Sequence, residues 1–193
     1  GSIIRKDNVA QKDIKSRLGK ARGSFARLAT IWKSNQYSLK TKIRLYNSNV
    51  KSVLLYGSEC WRIIKTDMKM IQVFHNGCLR KICRIFWPKK IRNEDLYEMT
   101  GCNNIATEIK KRRLTWLGHV FRMDNKRIPK VARRWTPPGK RKPGRPKVTW
   151  RRTAEAELKE MGLTWGQAQK LAQDRARWRV LVEALCPIRD EED

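Results

Sequence analysis

The sequence predicts an all-α fold. Three observations carry this: apolar residues recur at steps of three and four along most of the chain, helix-opening Ser, Thr, Asn or Asp residues precede those runs, and no segment alternates apolar and polar with period two. Gly1-Ser2-Ile3-Ile4 reads as the end of a strand whose sheet lies elsewhere. From Val9 a first helix carries Ile14, Leu18, Ala21, Phe25, Leu28 and Trp32 as one stripe. Ser38 offers an N-cap to a second, on which Leu39, Ile43, Tyr46, Val50 and Val53 keep the same spacing, antiparallel to the first. Thr66 is expected to cap a third, with Met70, Phe74, Cys78, Ile82 and Ile85 inward and Pro88 closing it. Asn93 opens a short helix that Gly101 ends, and Ile105 to Met123 forms a longer one. Thr149 opens a helix stopped by Gly162, Thr164 and Gln167 make a capping box, and Asp174 caps a last helix through Trp178, Leu181, Val182 and Leu185.

Charge organises the chain as strongly as hydrophobicity does. Of 193 residues, 45 are Lys or Arg and 18 Asp or Glu, a net charge of +27. Such a chain repels itself without a polyanion, and nucleic acid is the partner expected. No run approaches the length of a membrane span, no basic helix with one exposed aromatic face competes for anionic lipid, and no membrane partner is expected. The first 25 residues lack the apolar core of a signal peptide, and five cysteines at irregular spacing fit a reducing compartment rather than a disulfide framework.

Residues 126–152 hold twelve basic and no acidic side chains, whereas 153–193 carry six basic against nine acidic. With five prolines between Lys126 and Lys147, the chain reads as four parts: 1–62, 63–125, a basic Pro/Gly-rich arm at 126–148, and a small helical subdomain at 149–193.

The residues expected to bind nucleic acid follow from these patterns. On the first helix Lys12, Lys15, Arg22 and Lys33 flank a row of small residues, Ser16, Gly19, Gly23, Ala26 and Thr30. Glycine inside a helix costs about 0.5–1 kcal/mol against Ala, so something approaches this backbone, either a nucleic-acid strand or a neighbouring helix. On the second helix Lys40, Arg44 and Lys51 lie opposite the apolar stripe. Arg80 and Lys81 follow on the third, and Arg133, Arg134, Trp135, Lys140, Arg141, Lys142, Arg145 and Lys147 belong to the arm. Pro143-Gly144-Arg145-Pro146-Lys147 is similar to an AT-hook core, in which Arg enters a narrow minor groove, but Pro143 stands where a second Arg is expected. Most tryptophans fall on apolar stripes and read as core; Trp135, inside the arm, could stack a base.

Catalytic and metal chemistry find little support. His75, Cys78 and Cys83, with Cys102 beyond, are zinc-capable, but paired Cys-x2-Cys units are missing and Cys78 lies on an apolar stripe; no cofactor is expected. Glu157-Leu158-Lys159 with Asp124 matches a nuclease pattern that needs a strand, whereas Glu157 falls in a helical run. His119 has no carboxylate or nucleophile beside it in sequence and reads as a hydrogen-bonded residue at a helix–helix contact.

Several strings, in order, carry a family resemblance: Leu54-Leu55-Tyr56-Gly57-Ser58-Glu59-Cys60-Trp61, Cys78-Leu79-Arg80-Lys81-Ile82, Arg113-Leu114-Thr115-Trp116-Leu117-Gly118-His119-Val120-Phe121-Arg122-Met123, the arm from Gly139 to Lys147, Thr164-Trp165, and Asp174-Arg175-Ala176-Arg177-Trp178-Arg179. Nearly the whole chain resembles the C-terminal part of non-LTR (LINE-type, RTE-like) retrotransposon polyproteins. The resemblance implies the end of a palm and a helical thumb within 1–62, then a nucleic-acid-binding region. It implies work beside palm and fingers domains, holding primer–template duplex and template RNA or target DNA in target-primed reverse transcription, in the nucleus after cytoplasmic passage. The family's Asp-Asp polymerase motif has no counterpart here, so the chain is expected to be non-catalytic. A stand-alone DNA-binding or chromatin-associated protein derived from such an element is the alternative, and a protein-interaction module with incidental charge a third reading.

Overall fold

The computed structural model describes residues 9–134 and 149–185. Among these every regular element is helical and no strand occurs. The strand end read at 1–4 and the arm from Trp135 to Val148 lie outside the described residues. The chain forms two compact units: residues up to Ser58 with Ile63–Glu108, and Glu59–Arg62 with residues from Ile109 onward. Helix α7 contributes to both units.

In the first unit α1 (Val9–Arg27) buries Ile14, Leu18 and Ala21. The single long helix expected here breaks at Leu28, and α2 (Ala29–Lys33) follows. The break has a side-chain cause. Trp32 donates its indole Nε1–H to the Phe25 carbonyl at 2.8 Å and stacks on the Phe25 ring at 5.1 Å, so that carbonyl, which also accepts from Leu28 N at 3.3 Å, does not depend on the N–H four residues on. Lys42, itself buried, then donates from Nζ to the carbonyls of Trp32 (3.2 Å) and Ser34 (2.6 Å) and closes the end of α2.

Ser38 caps α3 (Leu39–Tyr46) by accepting from Thr41 N. A π-turn at Asn47–Lys51 separates α3 from α4 (Ser52–Leu54). One extra residue in a turn rotates everything after it by about 100° relative to a continuous α-helix. The buried stripe therefore runs Ile43, Tyr46, Val50, Leu54, and the expected Val53 is only half-buried.

Helix α5 (Lys65–Ile82) differs from expectation at both ends and along its face. Ile64, not Thr66, stands at the N-cap, and no side chain caps it. Arg84, at φ 55°, turns the chain after Cys83, well before Pro88, with Ile85 N donating to Arg80 O at 2.9 Å. The buried face is Asp67, Ile71, His75, Cys78, Leu79 and Ile82, while Met70 and Phe74 are half-buried. Periodicity could not anticipate a buried His75. It is held by Tyr46, whose hydroxyl lies 2.8 Å from Nδ1. Helix α6 (Asn93–Thr100) ends at left-handed Gly101, φ 61°, as read from sequence.

The second unit is built on α7 (Ile105–Arg122), α8 (Ile128–Arg134), α9 (Trp150–Glu160), α10 (Trp165–Leu171) and α11 (Arg175–Glu183). The segment read as an arm from residue 126 thus starts as a helix, with Pro129 in its first turn where no N–H is needed. Thr149, the Thr164–Gln167 capping box and Asp174 cap α9, α10 and α11. Leu114, Leu117, Phe121, Leu158, Trp178 and Val182 are among the buried residues that form the core. Trp178 fixes the approach of α11 to α7: its Nε1–H donates to Leu114 O at 3.0 Å, and its indole occupies the space a Cβ on Gly118 would need. Arg113 is buried beside them, paired with Glu157 and donating to the Trp61 carbonyl at 3.3 Å. Trp32, Trp61 and Trp178 are core, as their stripes indicated.

Two stability predictions follow. Gly118→Ala drives a methyl into a buried, hydrogen-bonded indole and should destabilise the second unit by about 1–3 kcal/mol. Gly166→Ala, where a Cβ would meet nothing within 4 Å, should not lower the urea midpoint. Burial, and behind it the charge of Lys51, lowers the pKa of His75 from 6.5 to about 3. Below pH 6.5 the unfolded chain therefore takes up a proton that the folded chain refuses. Stability should be complete above that pH and fall towards pH 3, by at most about 1.4 kcal/mol per pH unit from this residue. Urea titrations between pH 7 and 4 should show a shallower pH slope in His75→Gln than in the natural chain.

Candidate nucleic-acid interface

Helix α1 turns its apolar face inward, so the small-residue row faces outward. Gly19, Gly23, Ala26 and Thr30 are exposed, and a Cβ built on Gly19 or Gly23 would meet nothing within 4 Å. Among the described residues of the first unit no neighbouring helix packs against these two glycines. Lys12, Lys15 and Arg22 on α1 and Lys33 on α2 are exposed beside it. Arg17 is different: it is buried, 3.7 Å from Asp13 and 4.3 Å from the centroid of the Tyr56 ring.

The Lys40, Arg44 and Lys51 stripe is shorter than its spacing suggested. Lys40 and Arg44 are exposed on α3. The π-turn rotates Lys51 off that face, and its Nζ forms a half-buried ion pair with Glu108 at 3.1 Å. Arg80 also leaves the solvent face, donating to Ile91 O at 3.3 Å and to Asn93 Oδ1 at 2.7 Å, where it ties down the chain before α6. Lys81 is exposed. Arg133 and Arg134 end α8, while Trp135, Lys140, Arg141, Lys142, Arg145 and Lys147, and with them the AT-hook-like string, lie outside the described residues.

Counting charge by segment concealed a second group. Arg175 and Arg179, from the segment with an acidic balance, line a groove in the second unit with Lys111, His119 and Arg122. His119 is exposed on that groove wall rather than held at a helix–helix contact. The sequence carries one trace of this: the strings 113–123 and 174–179 each combine basic residues with aromatic ones.

Glu157 lies on α9 with its carboxylate engaged by Arg113, and Asp124 accepts from Lys126 N at 2.8 Å in a turn. Burial pushes the Cys78 thiol up to about 12, and the Tyr46 hydroxyl lies 2.8 Å from His75 Nδ1. Among the described residues no group of three or more His, Cys, Asp or Glu is placed to hold a metal ion. Among them, too, no helix is long and apolar enough to cross a membrane.

Known proteins give a coarse frame. Residues 24–56 match a domain of unknown function, DUF6451. The chain is 27% identical over 154 residues, 74% of its length, to a Caenorhabditis elegans protein named as uncharacterized and transposon-derived. It spans about half, 54%, of that relative. No solved structure matches it. The similarity supports an origin of this chain in a transposon.

Proposed function

We propose that the chain is a non-catalytic nucleic-acid-binding segment of a non-LTR retrotransposon reverse transcriptase. In this reading the helices up to residue 62 act as a thumb against primer–template duplex, and the remainder holds template RNA or target DNA during target-primed synthesis in the nucleus, beside palm and fingers domains. One observation carries the reading: α1 exposes a glycine-containing strip that no described residue of its own unit covers, edged by Lys12, Lys15 and Arg22. A flat strip lets a sugar–phosphate backbone approach the helix closely, and the flanking cations reach phosphates on either side. The resemblance strings and the transposon-derived relative support the same reading.

Binding to duplex should be electrostatic, with log K falling against log salt at about −0.9 per phosphate neutralised. Gln at Lys12, Lys15 and Arg22 together should flatten that slope while leaving the melting temperature unchanged, whereas Lys159→Gln with Lys170→Gln should alter neither the slope nor the melting temperature. A flat salt response in the natural chain would exclude the reading. The glycines allow a sharper measurement. Because Ala fits at both positions, Gly19→Ala and Gly23→Ala should each stabilise the fold by about 0.5–1 kcal/mol. If a backbone docks there, the same changes should weaken duplex binding. Stabilised variants that bind as well as the natural chain would show that the strip is not an interface.

A further inference from the structure

We propose that the groove between α7 and α11 is a second binding site for the phosphate backbone of nucleic acid, with Lys111 and Arg122 on one wall and Arg175 and Arg179 on the other. This inference rests on the nucleic-acid-binding reading and adds to it a site in the second unit.

The geometry comes first. Lys111, Thr115, His119 and Arg122 follow one another at steps of four, four and three, one face of α7, and Arg175 and Arg179 stand one turn apart on α11. From Lys111 to Arg122 the wall is about 16 Å long at 1.5 Å per residue. One strand of a duplex carries a charge every 3.4 Å or so along its axis, so a strand lying in the groove would present several phosphates to it. The enclosed space is about 670 Å³.

The walls are held, not merely adjacent. Trp178 seats against Gly118 and donates to Leu114 O at 3.0 Å, which sets how closely α11 approaches α7. Arg122 is anchored by a 2.8 Å bond from Nη1 to the Ala172 carbonyl. Arg175 lies near enough to lower the pKa of Arg122, an effect second only to burial. Among the described residues Glu183 is the one carboxylate lining the groove, and Arg179 takes it at 2.7 Å. Guanidinium groups gathered around so little negative charge repel one another, and a bound anion relieves that repulsion.

The chemistry of the lining selects the anion. Arginines on two sides suit the tetrahedral, acceptor-rich phosphate group. Trp178 is only 2% exposed, so its ring offers no face on which a base could stack. The groove would therefore read backbone and not sequence.

The test uses the whole chain and a fluorescent duplex, with affinity measured across a salt series. Arg175→Gln with Arg179→Gln should weaken binding by about tenfold or more at low salt and reduce the salt slope by about 1.8, two phosphates' worth. Both residues are exposed, so the melting temperature should not move. Lys159→Gln with Lys170→Gln, outside the groove, is the control and should bind as the natural chain does. If the natural chain binds with a steep salt slope and the double arginine variant matches it, the groove inference fails and the nucleic-acid reading stands. No binding by the natural chain would overturn both. Poly-glutamate displacing the duplex as well as polyphosphate of equal charge would make the groove a site for acidic protein segments and overturn the assignment to phosphate.

Discussion

The structure depends on where a large excess of positive charge can be put. With 45 basic and 18 acidic residues, ion pairing could never neutralise the chain. Part of the excess is instead turned onto backbone carbonyls. Lys42 and Arg84 both reach carbonyls at the end of α2, Lys130 reaches those of Phe121 and Met123 at the end of α7, and Arg122 takes Ala172 just past α10. The last carbonyls of a helix lack intrahelical partners and carry the negative end of its dipole, so they act as acceptors that no acidic residue need supply. These cations cap helix ends and cost no carboxylate. Those left over crowd the outer faces.

The division between structural and available cations gives the surface its meaning. Arg17, Lys51, Arg80 and Arg113 look like their neighbours in sequence, yet each is held by a carboxylate, a ring, an amide or a carbonyl within its own unit. Lys12, Lys15 and Arg22 remain on an exposed face of α1. Glycine marks the same distinction. Gly118 lacks a side chain because Trp178 needs the space, a reason internal to the fold, whereas nothing within 4 Å requires Gly19 or Gly23 to be small. One glycine serves packing; the other two keep a helix surface flat and open.

Two polar groups in the core of the first unit meet each other. His75 is fully buried because Tyr46 meets its ring nitrogen, and burial also raises the pKa of the Tyr46 hydroxyl, keeping both groups neutral. The cysteines Cys78 and Cys102 lie in the same unit with raised pKa values, again from burial, and behave as small apolar side chains. His75, Cys78 and Cys102 are thus neutral side chains of this core.

The sequence by itself determined the helical class, most helix positions and the helix starts at Ser38, Thr149, Thr164 and Asp174, because a cap is a bond between residues two or three apart and needs nothing else. It also determined the stop at Gly101, which depends on the backbone freedom of one residue. Tertiary structure decided the rest. The break after α1 exists because Trp32 reaches back to Phe25 and packs there, and the π-turn moves Lys51 to Glu108, 57 positions further along the chain. Neither the turn of α5 that buries His75 nor the meeting of the 113–123 and 174–179 strings in one groove leaves a periodic trace. Each is set by contacts between residues tens of positions apart, and periodicity reports only which side of a helix is apolar, not what lies against it.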